Sequence, residues 1–277
     1  MNKFFTIVLL VFSLSMISSA QKKMMYRSVE KVGEASLLCY YIYSHSEQGV
    51  NERVLMLLQT GHNIQKFGSY ANYLRDSLGL HFNNQPQDTR LLSYESSKIL
   101  RLPSCQNDVD WTLYINYPEN KETITDRVFS DSFISKEEIL LPSWNYSNET
   151  KKIGAYLCCK STTQLYGRDW VVWYAPSIER PDGPWLLRGL PGIVVEAEDS
   201  RGEFKFELHK IERRETPIVF NKKQYFEANR NIVLKTKLKY YDNRAQYVNG
   251  TSLGGSKMIN LPATPAQSYN PLRRIEK

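Results

Sequence analysis

Apolar and polar positions alternate along most of this chain, and the alternation predicts strands. In residues 203–211, Phe204, Phe206 and Leu208 point one way, while Glu203, Lys205, Glu207 and His209 point the other. A period of two is the pattern of an antiparallel strand with one wet face. Ile193-Val194-Val195 is a β-branched run that favours a partner strand. Asp199-Ser200-Arg201-Gly202 reads as the turn between them. Residues 35–44 read as a further strand, with 53–59 as its hairpin partner. Residues 111–117 alternate through Trp111, Leu113, Ile115 and Tyr117, and 123–134 continue as strand. Residues 153–174 carry two strands around Gly167; in the second, Arg168, Trp170, Val172 and Tyr174 share one face.

Helical spacing is rarer. Phe67, Tyr70, Leu74 and Leu78 predict a short amphipathic helix over residues 69–77, with Gly79 as its stop. Residues 91–102 are a second helical candidate inside a polar, irregular stretch, and 226–241 fit helix or strand. Pro142-Ser143-Trp144 breaks the chain before the polar residues 145–152. These elements predict a mainly β protein with a minor α component. Its form is one twisted antiparallel sheet, a half-barrel where it curls, with one or two short helices. The β-rich domain spans residues 21–241, and 242–277 form a loop-rich segment.

Residues 1–20 resemble a secretory signal peptide. Lys3 supplies the positive end, residues 4–17 the apolar run, and Ser18-Ser19-Ala20 the small residues before cleavage. The apolar run is short for an uncleaved anchor, and no later segment is apolar enough to span a bilayer. The protein is thus expected to be exported and not transmembrane after cleavage. The net charge of +7 is interspersed along the 277 residues. This reads as solvated surface, with no nucleic-acid partner.

Export makes disulfides possible for Cys39, Cys105, Cys158 and Cys159, in any of three pairings. Cys158 and Cys159 are adjacent and point to opposite faces, so one or both are expected to pair with Cys39 or Cys105. No ligand spacing supports a metal site, and no cofactor motif is present. His45, His62, His81 and His209 are scattered, and the chain has no nucleophile elbow, zinc-protease motif or phosphate loop. No catalytic residue is assigned. Cys158 with His209, or the paired Glu196/Glu198 and Glu203/Glu207, would be the chemistry of a Cys- or carboxylate-dependent hydrolase.

The richest stretch runs from Gly183 to Glu196. Leu190-Pro191-Gly192 reads as a tight turn, with Pro191 presetting φ at the second position and Gly192 accepting positive φ at the third. Around it Arg168, Trp170, Tyr174, Trp185 and Arg188 are candidate binding residues, because Trp and Tyr give rigid contact area and Arg a planar fork. The structural alternative is that the Trp residues fill the core and the arginines pair with Asp169, Glu196 or Asp199.

Gly189-Leu190-Pro191-Gly192-Ile193-Val194 resembles the signature of the GLPGLI family, exported proteins typical of Bacteroidetes, with Ile193 in the Leu place and Val194 in the final Ile place. Flanking motifs match in order: Leu58-Gln59-Thr60-Gly61, Lys66-Phe67, Tyr156-Leu157-Cys158-Cys159-Lys160-Ser161, Tyr166-Gly167-Arg168-Asp169-Trp170, Gly183-Pro184 and Tyr269-Asn270-Pro271-Leu272. The resemblance implies an antiparallel β protein of the bacterial cell envelope, periplasmic or outer-membrane associated, with no established reaction to carry over. The expected function is non-enzymatic binding of a peptide, lipid or glycan, or of an outer-membrane transport protein. A scaffolding role without small ligand and a hydrolase are the alternatives.

Overall fold

A computed structural model describes residues 28–47, 50–82 and 89–242. The expected signal peptide, residues 1–20, lies outside them, as does all but the first residue of the loop-rich segment 242–277. The strands are β1 (Ser28–Glu47), β2 (Val50–Gly61), β3 (Gln65–Ser69), β4 (Thr112–Ile115), β5 (Lys121–Val128) and β6 (Asp131–Glu138). They continue with β7 (Asn145–Ile153), β8 (Tyr156–Leu165), β9 (Arg168–Ala175), β10 (Ile193–Asp199), β11 (Phe204–Lys222) and β12 (Phe226–Glu227). Three helices accompany them: α1 (Tyr70–Phe82), α2 (Thr89–Arg101) and α3 (Arg230–Asp242).

All strands join one open sheet in the order β12-β6-β5-β4-β3-β2-β1-β11-β10-β9-β8-β7. Every pairing is antiparallel except the short β12–β6 contact. The mainly β, twisted antiparallel expectation therefore holds, with three α-helices among the described residues where one or two were expected.

The centre of the sheet is the long β1–β11 pair, running from Ser28↔Lys222 to His45↔Phe204. Its register shifts at Lys31/Gly33, Ala35/Leu37 and Tyr40/Tyr41. Bulges bend a strand and add right-handed twist, so the two longest strands carry the strongest coiling. The curl is visible in one side chain. Arg230 lies within ion-pair distance of Glu122 on β5 and 4.0 Å over the ring of Tyr166 in the β8–β9 turn. Along the sheet β5 and β9 are seven steps apart, roughly 34 Å at about 4.8 Å per strand. The sheet must wrap around for one guanidinium to touch both sides, yet β12 and β7 remain unjoined edges.

The inner face buries the main core, with Tyr41, Phe67, Trp111, Trp170 and Phe206 among its largest members. The outer face buries a smaller cluster of Leu38, Tyr40, Leu57 and Ile218 beneath Tyr70 and Tyr73 of α1. The alternation of Leu37, Cys39 and Tyr41 inward with Leu38 and Tyr40 outward gives β1 two apolar faces.

Several local expectations change. The helical spacing from Phe67 begins inside β3, where Phe67 faces the inner core, whereas Tyr70 packs edge-on against Tyr40 at 5.7 Å on the other face. The helix buries Ala71, Asp76, Gly79 and Phe82 and runs through Gly79 to Phe82. Residues 145–152 are strand β7, because an edge strand has only one neighbour and tolerates polar side chains on both faces. Residues 123–134 divide between the β5–β6 hairpin.

The expected disulfides are not formed; Cys39, Cys105, Cys158 and Cys159 are all free. Cys39 on β1 and Cys158 on β8 are separated in the sheet by β11, β10 and β9. Cys105 sits near Tyr70, behind the sheet from Cys39. Burial pushes the Cys39 thiol up to about 12 and raises Cys105 and Cys158 as well.

The segment 176–192 between β9 and β10 folds over the inner face and is held by Asp182. Its carboxylate accepts hydrogen bonds from Thr60 Oγ1 (2.8 Å), Arg180 Nε (2.8 Å) and Gln65 Nε2. Arg180 also donates to Thr60 (2.7 Å) and the Gly61 carbonyl (3.1 Å), and Val194 N donates to the Asp182 carbonyl at 3.2 Å. The turn geometry differs from expectation. Gly189 takes the positive φ (90°), not Gly192. Gly192 is needed for closeness: a Cβ there would lie 2.3 Å from the Ala175 carbonyl oxygen.

Replacing Asp182 with Ala is expected to cost about 1–3 kcal/mol, since buried Thr60, half-buried Gln65 and the partly exposed Arg180 each lose an acceptor. Chemical denaturation measures it, and a loss under about 1 kcal/mol would remove the clamp assignment. Gly192→Ala should cost about 1–3 kcal/mol by overpacking, read as a lowered thermal midpoint with unchanged circular dichroism.

Candidate ligand-binding site

Beyond the Asp182 clamp the segment dives inward. Trp185 holds a left-handed backbone (φ 51°), which costs a non-glycine residue roughly 1–2 kcal/mol. Trp185, Leu186 and Leu187 are all buried. The Trp185 ring lies 5.7 Å from Trp170 and 5.7 Å from Tyr166. Trp170 in turn stacks on Phe206 at 6.2 Å. The next residue, Arg188, donates to the Leu140 carbonyl at 3.3 Å, while Trp144 Nε1 donates to the Arg188 carbonyl at 3.0 Å. These bonds tie the segment to residues 139–144 across the opening of the sheet.

Arg188 is one of three ionisable groups gathered here. Glu122 of β5 lies between two guanidiniums, 3.9 Å from Arg188 and 3.9 Å from Arg230. The three residues are 3%, 7% and 4% exposed. Burial pushes the Glu122 carboxyl up to about 7, against the pull of Arg230 and Arg188 and with help from nearby Glu137. Burial also lowers Arg188 from its ordinary value. At 3.9 Å neither ion pair is a hydrogen bond. Among the described residues, Arg230 Nε, Nη1 and Nη2, Arg188 Nε, Trp185 Nε1 and Glu122 Oε2 have no hydrogen-bond partner.

Arg230 is the first residue of α3, and its backbone N–H donates to Glu137 at 3.2 Å. Seven residues on, Lys237 pairs with Asp126 at 2.6 Å. Seven residues are about two helical turns, roughly 10.5 Å on one face. Glu122 and Asp126, four apart on β5, are roughly 13 Å apart on one face of the strand. The two charge pairs therefore match in spacing and dock α3 on β5, with Val233 and Leu234 buried between them. The cavity lined by Ile124, Ser135, Arg230 and Leu234 holds only about 10 Å³, so α3 sits closed on the strand. Leu140 and Leu141, in the segment that Arg188 bonds, stay exposed, as does Ile232 on α3.

Of the five binding candidates, the structure brings Trp170 and Trp185 together and places Arg188 beside Glu122. Arg168 lies elsewhere, at the β10–β11 hairpin, pairing with Asp199 and with Glu203 at 2.7 Å and lying 4.2 Å over Phe204. Asp199 also caps that hairpin by accepting from the Glu203 and Phe204 amides at 2.8 Å. Tyr174 is buried opposite Cys159 of β8. All five are buried. In the signature turn, Leu190 is buried and Pro191 exposed.

Sequence reasoning missed Glu122, Tyr166 and Arg230. The available signal was the matched spacing of acids at 122 and 126 and bases at 230 and 237, which shows only once strand and helix are known to pack. Among the described residues no His, Cys, Asp and Glu cluster is arranged to hold a metal, and no helix is long and apolar enough to cross a membrane. Cys158 is buried on β8 while His209 is exposed on β11, with two strands between them. Glu196 pairs with Lys151 at 2.7 Å and Glu207 with Lys205 at 3.1 Å.

No family model matches the chain, and no curated protein matches it, so the GLPGLI resemblance rests on its motifs. Solved structures of PNGF-II in two crystal forms are similar in part. One is 14% identical with a TM-score of 0.48, covering 74% of this chain and 34% of that one. The other is 15% identical with a TM-score of 0.46, covering 74% and 32%. The chain spans about a third of the length of those PNGF-II chains. A likeness of this degree bears on neither ligand nor reaction.

Glu122 has a folded-state pKa above its ordinary 4.5, so its stabilising effect is full below about 4.5 and is lost as pH rises through about 7. At about 1.4 kcal/mol per unit this is on the order of 3 kcal/mol. Glu122→Gln should match the parent near pH 4.5 and exceed it in thermal midpoint at pH 8. A difference that is flat or reversed across that range would refute the buried-acid assignment.

Proposed function

We propose that this chain is an exported cell-envelope protein of the GLPGLI type that binds a hydrophobic or peptide-like ligand on the inner face of its sheet, beneath α3. One observation carries the reading. The inner face keeps a set of buried N–H donors on Arg188, Arg230 and Trp185 without partners among the described residues. Folded proteins leave few buried polar groups unsatisfied, because each costs about 1–3 kcal/mol. A guest that supplies acceptors, surrounded by Trp170, Trp185 and Tyr166, offsets that cost and gains apolar contact.

The reading is non-enzymatic. Burial raises the Cys39, Cys105 and Cys158 thiols, which disfavours the thiolate a nucleophile needs. The surface carboxylates Glu196 and Glu207 are matched by lysines. The signature segment serves in this reading as the inner wall: Asp182 fixes its position and Trp185 and Arg188 face the guest.

Native mass spectrometry of protein taken from its own envelope fraction tests the reading. A mature chain beginning at Gln21 with one stoichiometric small-molecule or peptide adduct is expected. A bare chain that recovers an outer-membrane protein instead would replace the small ligand with a protein partner.

A further inference from the structure

Resting on that ligand-binding reading, we propose that the guest carries a carboxylate, that this group sits between Arg188 and Arg230 in place of Glu122 as their counter-ion, and that α3 moves aside to admit it. Two guanidiniums face Glu122 at 3.9 Å without hydrogen-bonding it, so a guest carboxylate that reaches both makes bonds that Glu122 does not. The free donors select the chemistry. Arg230 presents Nε, Nη1 and Nη2, and Arg188 presents Nε, all unpartnered among the described residues. A planar fork of this kind matches the two oxygens of a carboxylate. Tyr166, 4.0 Å from the Arg230 guanidinium, holds that plane by stacking.

The surroundings select the rest of the guest. Leu140, Leu141 and Ile232 are exposed large apolar side chains. Leu140 and Leu141 lie in the segment whose Leu140 carbonyl accepts from Arg188, whereas Ile232 is on the outward side of α3, about 200° round the helix from Arg230. An anionic seat behind an apolar rim fits a carboxylate at the end of an apolar chain. Two sources share that chemistry: a fatty acid and the C-terminus of an apolar peptide.

Entry requires motion, because the cavity under α3 holds only about 10 Å³. α3 is joined to β5 through the Arg230–Glu122 and Lys237–Asp126 pairs, the apolar strip of Val233 and Leu234 and the packing of Tyr240 with Val128, and β12 ties its first turn to β6. A guest carboxylate that takes Arg230 from Glu122 removes the first of those pairs. Glu137 lies at the same helix end and accepts the Arg230 amide, and Asp182 acts on Arg188 from the clamp side. Both acids remain in place when the guest binds.

The test titrates the purified, delipidated protein at pH 7 by calorimetry with dodecanoate and with its primary amide. An acetylated leucine–alanine hexapeptide with a free or an amidated C-terminus forms the second pair. One acid is expected to bind at least tenfold tighter than its amide. Glu122→Gln should tighten the acid several-fold and leave the amide unchanged, because it removes the competing counter-ion. Arg230→Gln should abolish the preference. Preference for dodecanoate alone assigns a fatty acid, and preference for the free peptide alone assigns a peptide C-terminus; either supports the seat.

Equal binding of acid and amide would overturn the seat while leaving the apolar binding reading intact. Binding of no probe, by a protein that native mass spectrometry also finds bare, would overturn both. Where Arg230→Gln fails to fold by circular dichroism, Glu122→Gln decides: an unchanged or weakened acid affinity overturns the proposal.

Discussion

The side chain of Asp182 receives hydrogen bonds from Thr60, Gln65 and Arg180, and its own carbonyl receives one from the Val194 amide. Through this one residue the 176–192 segment is tied to β2 and β3 on one side and to the start of β10 on the other. Taking a carboxylate out of water is costly unless donors surround it, and here three do. The inward course of Trp185, Leu186 and Leu187 follows from that anchoring. So does the position of Arg188 opposite β5. Tyr41, whose hydroxyl donates to the Val194 carbonyl at 2.7 Å, seals the same joint from the centre of the sheet.

A second constraint works at the far side of the wrap. β5 carries Glu122 and Asp126 on a face that also carries Ile124 and buried Val128. Two acids on an apolar strand face are tolerable because α3 brings Arg230 and Lys237 at a compatible spacing. The two pairs are not equivalent. Lys237 and Asp126 are in hydrogen-bond contact at 2.6 Å, whereas Arg230 and Glu122 stand 3.9 Å apart. At the end where the unsatisfied donors lie, backbone bonds hold the helix instead: β12 pairs with β6, the Ala228 amide donates to the Ile134 carbonyl at 3.0 Å and the Arg230 amide to Glu137.

Strands with one wet face were legible from alternation, as with Phe204, Phe206 and Leu208 in β11. Strands whose character comes from tertiary position were not. β3 is only five residues long and buries Lys66, which pairs with Asp76 of α1 at 2.7 Å; its Phe67 joined a helical spacing only by accident. β7 is polar because it lies at the edge. The candidate site was half legible. Trp185 and Arg188 stand in a motif-rich stretch, but Glu122 and Arg230 are 108 positions apart in sequence and meet only because the sheet wraps. Four cysteines in a chain read as exported suggest disulfides by composition, yet three strands separate Cys39 from Cys158 in the sheet and all four are free. Turn chemistry was read one glycine out of place, since Gly189 and Gly192 answer different demands: backbone handedness in one, room beside Ala175 in the other.

An open sheet leaves β7 with one side unpaired, and a long row of free backbone groups invites a second molecule to add its own strand. The β7–β8 register jumps between Tyr146↔Ser161 and Thr150↔Cys159, spending four residues on β7 against two on β8. The irregularity interrupts the row midway, and Lys151 and Lys152 follow it. Strand-by-strand growth into polymers would have to match a kinked, lysine-bearing border on both molecules. The wrap can therefore stay open without making this edge a template for aggregation.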